Sequence, residues 1–96
     1  MAVKTTIRFP QPPPGENWYR IYLQDRRAML DTMQRNLLSD LDAGYNPHGQ
    51  SITTQRKRID DFKKEFAFAI DMLRMTSATE REYWCYCELL TIGAID

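Results

Sequence analysis

The stretch "NWYRIYLQDRRAMLDTMQRNLLSDLDA", residues 17–43, decides the fold of this chain. Advanced by about 100° per residue, Trp18, Tyr19, Tyr22, Leu23, Met29, Leu30, Met33, Leu37 and Leu41 fall on one broad face, the pattern of an amphipathic helix. Asn17 stands where an N-cap belongs, and Gly44 where a helix accepts its left-handed C′ residue. The beginning of the stretch also admits a second reading. "WYRIYL" and the upstream "TTIRF" are rich in β-branched and aromatic residues, and "PQPPPGEN" could join them as a loose hairpin. Under that alternative the fold is α+β, with an N-terminal hairpin of strands 4–9 and 17–23.

Downstream the pattern stays helical. "GYNPHGQ" (44–50) is a turn-rich connection broken by Asn46-Pro47 and Gly49. Ser51 is placed to cap a second helix over 51–75, whose core stripe is Ile52, Ile59, Phe62, Phe66, Ala69, Ile70 and Leu73. A second apolar stripe, Phe68, Met72 and Met75, lies on nearly the opposite side. "SATE" (77–80) has the form of a capping box, pairing Ser77 with Glu80, and opens a third helix over 78–94. The expectation is an all-α, up-down-up three-helix bundle with helices at 17–43, 51–75 and 78–94. Residues 1–16, with three consecutive prolines, form an extended arm before a single helical domain, 17–96.

The totals agree with one small domain. Ninety-six residues build one modest core, and thirteen basic side chains balance thirteen acidic ones. That balance gives no global attraction to nucleic acid or to an anionic membrane. The first residues, "MAVKTTIRFP", contain no apolar core of a secretory signal, and no apolar run is long enough to span a bilayer. Two cysteines cannot form a disulfide framework, so a reducing, cytoplasmic setting is expected.

Catalytic chemistry finds little support. Cys85 and Cys87 are two apart, so on a helix their thiols point about 200° from one another. Neither a zinc pair nor a redox pair has that spacing. His48, the one histidine, lies in a turn without a nucleophile motif around it. Glu80 is explained by capping, and the adjacent Asp60 and Asp61 diverge by about 100° on a helix. We therefore expect no enzyme and no cofactor. Arg26, in the middle of the apolar face of the first helix, is expected to pair with a carboxylate. Pro10 and Pro13 give one P-x-x-P, but Arg8 is out of register for the basic anchor of such ligands.

Two surfaces remain. "RKRIDDFKK" (56–64) holds five basic and two acidic residues, and a nucleic-acid-associated accessory or regulatory role would use Arg56, Lys57, Lys63 and Lys64 with Arg8 of the arm. Asp60 and Asp71 fall between the basic groups on the helical wheel and interrupt a one-sign face. The stronger signal is the third helix. "YWCYCEL" (83–89) and the residues after it are apolar almost all round, more than a three-helix bundle can cover. The expectation is a small non-enzymatic interaction protein that pairs with itself, as a homodimer, or with another protein. Its surface would run over Phe68, Met72, Met75, Trp84, Tyr86, Leu89 and Ile92. The N-terminal arm, with Val3, Ile7 and Phe9, is the other candidate cover.

Overall fold

The computed structural model describes residues 11–95, and they form three α-helices: α1 (Trp18–Asp42), α2 (Gln50–Arg74) and α3 (Ala78–Thr91). The fold is the all-α three-helix arrangement, with α1 packed against both α2 and α3. Residues 18–23 of the alternative hairpin are helical, which removes that alternative. Its other strand, 4–9, lies outside the described residues. A helix wins because the aromatic positions 18, 19 and 22 repeat at three and four residues, so coiling gathers rings that a strand would split between two faces.

The caps explain most of the boundaries. The Asn17 side chain accepts a hydrogen bond from Arg20 N at 3.0 Å and starts α1. At the other end Gly44, with φ +94°, lets Gly44 N reach Leu41 O and Tyr45 N reach Asp40 O, the paired bonds of a Schellman ending. Two boundaries differ from expectation. The cap of α2 is Gly49, not Ser51, because the Asn46 side chain accepts from His48 N and the Asn46 carbonyl from Gly49 N. That turn delivers Gly49 already extended, so the helix begins at Gln50. The third helix stops at Thr91, because Gly93 takes φ +74° and repeats the Schellman pattern through Ala94 N to Leu89 O.

The core sits at one end of the molecule. Trp18, Tyr22, Leu73, Cys85, Tyr86 and Leu89 form one buried cluster, with Cys85 and Leu89 fully covered. Rings in and beside it meet edge to face: Trp18 with Tyr86 at 4.7 Å, and Tyr22 with the more exposed Trp84 at 5.3 Å and Phe66 at 6.4 Å. α3, about 21 Å long, covers little more than half of α1, about 37 Å long. Beyond its reach α1 has only α2 as a neighbour, where Ile52 and Ile59 are buried but Met29 is 44% exposed. The expected α1 face is thus covered along only part of its length.

One pair of adjacent residues on α3 joins all three helices. The Glu82 carboxylate accepts from Trp18 N at 3.0 Å through one oxygen and from Tyr19 N at 2.6 Å through the other. With Asn17, it satisfies the amides of the first three residues of α1, which no intrahelical carbonyl can reach. α1 has no acidic residue in its own first turn, so Glu82 supplies the negative charge that complements the helix dipole there. Arg81 acts on the opposite pole. Its Nε donates to Leu73 O at 2.8 Å and an Nη to Thr76 O at 3.0 Å, at the C-terminus of α2. Its guanidinium also lies 5.1 Å from the centroid of the Tyr19 ring.

Glu82→Ala is expected to destabilise the protein by about 2–3 kcal/mol, and Glu82→Gln by roughly half as much, since the amide keeps one acceptor but loses the charge. Urea denaturation followed by circular dichroism measures both. A Glu82→Ala cost below about 0.5 kcal/mol, the level of an ordinary surface substitution, would remove the clamp from this account.

Candidate functional site

The clamp sets the rotation of α3, and that rotation creates the candidate site. With Glu82 held at α1, the side of α3 carrying Cys85, Tyr86 and Leu89 turns inward. Trp84 is left 38% exposed, its ring edge against Tyr22. α3 packs chiefly on α1, so a gap remains between its first half and the C-terminal half of α2. That gap is an open groove of about 540 Å³, lined by Phe68, Ala69, Met72, Tyr83, Trp84 and Glu80 among others. Phe68 is 68% exposed and Met72 51%, while Met75, which closes α2, is 85% exposed. Among the described residues, Glu80 is the one charged side chain in the lining.

The residues expected at a partner surface therefore divide. Phe68, Met72 and Trp84 line the groove, and Met75 stands exposed just beyond the α2 end of it. Ile92 is exposed but caps the far end of α3. Tyr86 and Leu89 are corrected: both are buried in the chain's own core, Leu89 completely, and present nothing to a partner. Because α3 is apolar almost all round, its wheel does not say which side turns inward. The signal that does is Glu82, one turn before Tyr86 on the inward side, and its partners lie 63 and 64 residues away.

A second concavity, about 460 Å³, adjoins the groove. Gln11 and Pro12 line it with Thr79, Glu80, Glu82 and Tyr83, so Glu80 and Tyr83 belong to both. The proline segment is brought there by Trp18, whose indole N–H donates to Pro13 O at 3.2 Å. Another concavity, about 650 Å³, lies at the other end of the α1–α2 hairpin, with Asn36, Ser39, Asp40, Gln55 and Arg58 in its walls. Asp40 already accepts from the Gln55 amide at 2.7 Å. It is open and of mixed polarity, with Met33 and Ile59 as its apolar lining and no aromatic side chain comparable to Phe68 or Trp84.

The remaining candidates are placed as follows. Arg56, Lys57, Lys63 and Lys64 are all exposed on α2, with Asp60 and Asp61 exposed between them; Arg8 lies outside the described residues. Arg26 pairs with Asp25 at 2.7 Å and lies 5.4 Å from the centroid of the Phe62 ring, a charge-paired position on the apolar face. His48 is exposed in its turn. Among the described residues no group of three or more acidic, histidine or cysteine side chains is placed to hold a metal ion, and no helix is long and apolar enough to cross a membrane. A scan against protein-family models and searches of curated proteins and of solved structures return no match to this chain.

The two cysteines differ chemically. Cys85 is fully covered, and burial, with Glu82 nearby, pushes its thiol up to about 12. Cys87 is a half-buried free thiol. At about pH 8 a thiol-specific reagent is expected to label Cys87 and to reach Cys85 only on unfolding. The raised Cys85 value also has a stability consequence. Below about pH 8.5, the ordinary thiol value, both folded and unfolded chains keep the proton and stability is undiminished. Between there and about 12 the unfolded chain ionises first, so stability falls as pH rises. Burial raises the Tyr22 phenol as well and extends the same trend. The urea midpoint is expected to drop between about pH 8 and pH 10, and less steeply in Cys85→Ala. An equal drop in both would assign the effect elsewhere.

Proposed function

We propose that this protein is a small non-enzymatic interaction protein of the cytoplasm that pairs with a second copy of itself through the groove between α2 and α3. The observation that carries the reading is the exposed set Phe68, Met72, Met75 and Trp84, four large apolar side chains around one concave surface. Monomeric proteins seldom leave such a patch uncovered, and aromatic and methionine side chains are the residues enriched at the centres of interfaces. Methionines suit a surface that must adapt to an opposing copy, since the unbranched thioether repacks easily. A two-fold contact would lay Phe68 of each copy against the methionines of the other, the self-complementary arrangement commonest among homo-oligomers. Two free thiols are compatible with a reducing compartment. A nucleic-acid role is less favoured, because Asp60 and Asp61 interleave the exposed cations of α2.

Sedimentation equilibrium of the full chain from about 1 to 100 µM is expected to show a monomer–dimer equilibrium. Phe68→Asp is expected to abolish the dimer with an unchanged circular dichroism spectrum, since Phe68 is largely exposed in the monomer. Equal association by wild type and Phe68→Asp would move the interface elsewhere.

A further inference from the structure

We infer that the groove between α2 and α3 also receives a basic amphipathic helix from another protein, which displaces the second copy. The inference concerns the same groove but does not depend on self-association. Charge is the observation that carries it. Glu80 lies in the lining, and among the described residues its carboxylate forms no ion pair. Glu65 is exposed one turn before Phe68 and Ala69, and Glu88 stands one turn after Trp84. At about 100° per residue, Glu65 falls inside the arc of α2 that runs from Phe68 through Met72 and Ala69 to Leu73. Lys63, Lys64 and Arg74, the cations of that stretch, lie about 110° or more from the middle of the arc. Arg81 is committed to the carbonyls ending α2, and Arg26 on α1 is paired with Asp25. The apolar floor thus has an acidic rim, and a second copy brings the same carboxylates to it. A cationic partner meets that rim with opposite charge.

The walls also select the backbone of the occupant. Both are helices whose amides and carbonyls bond within their own ladders, so an extended peptide finds no strand edge there. The Thr76 hydroxyl already donates to Met72 O, and the Thr76 carbonyl accepts from Arg81. A helix arrives with its own backbone satisfied. From Phe68 to Thr76 the groove runs about 12 Å along α2. That length admits apolar anchors at i, i+4 and i+7 of one helix, which span about 10 Å. Phe68, Met72 and Trp84 are the side chains such anchors meet, and methionine adapts to anchors of different shape. Lysine or arginine beside the anchors would face Glu65, Glu80 and Glu88.

The test uses the full chain and a fluorescein-labelled synthetic helix of about 14 residues, with leucine at i, i+4 and i+7 and lysine or alanine elsewhere. A counterpart carries glutamate for lysine. Fluorescence anisotropy is expected to give a micromolar Kd for the lysine peptide, about tenfold tighter than for the glutamate peptide. Glu65→Lys and Glu80→Lys are each expected to weaken binding about fivefold. Asp60→Lys makes the same charge change about 150° from the groove and is expected to leave binding unchanged. Phe68→Asp is expected to weaken binding about tenfold, although it adds negative charge. Circular dichroism checks that each variant keeps its helices. Equal losses in Asp60→Lys and Glu80→Lys would reduce the attraction to net charge and overturn the inference, as would undiminished binding by Phe68→Asp. Sedimentation equilibrium separates the two readings of the groove. Conversion of a dimer to a one-to-one complex with the lysine peptide is the expected result. A dimer that does not bind the peptide, or binds it and stays intact, overturns the inference and leaves self-association standing. A chain that is monomeric alone and binds the peptide supports the inference and overturns self-association.

Discussion

The bidentate acceptance of two α1 amides by Glu82 is the contact on which the arrangement of the three helices depends. A helix start leaves its first amides without partners, and in this chain two of them are met from a different helix. The neighbouring Arg81 meets the opposite need, carbonyls at the end of α2, through Leu73 O and Thr76 O. α1 and α2 run antiparallel, which brings the positive pole of one beside the negative pole of the other. Successive residues of α3 carry the two complementary charges to that junction. Trp18, Tyr22 and Leu73 then close over Cys85, Tyr86 and Leu89 as the core.

The same contact has a cost in coverage. Once α3 is fixed on the start of α1, its short length leaves the distal half of the hairpin as a two-helix layer. Its rotation leaves Trp84 beside an α2 stripe that no element of the described chain covers. The apolar groove is thus a by-product of where the ionic junction sits. A helix apolar on nearly every side buries one side fully and has to share the others, and Phe68 and Met72 enlarge that surplus.

Much of the fold was legible locally. The three-and-four spacing in α1, Asn17 before it, Gly44 after it and Ser77 before α3 are short-range signals, and each stands where its own chemistry places it. Local signals failed where two of them competed or where a single glycine ends an otherwise helical run. Asn46 closes a turn that puts the cap on Gly49 ahead of Ser51, and Gly93 ends α3 within a run that looks helical. The surface stripe on α2 was readable because α2 has a charged side to contrast with it. The buried side of α3 was not, since Tyr86 and Leu89 look no more internal than Trp84 until Glu82 is known to face α1. The role of Glu82 itself has no short-range signature, because its partners are more than sixty residues away.

Native-state hydrogen exchange at the amides of Trp18 and Tyr19 tests this account most directly. First-turn amides of a helix lack intrahelical acceptors and ordinarily exchange fast. Held by Glu82, these two are predicted to be protected about as strongly as amides in the middle of α1, and to lose that protection in Glu82→Ala. Exchange of both at the rate of unprotected amides in the wild-type protein would contradict it.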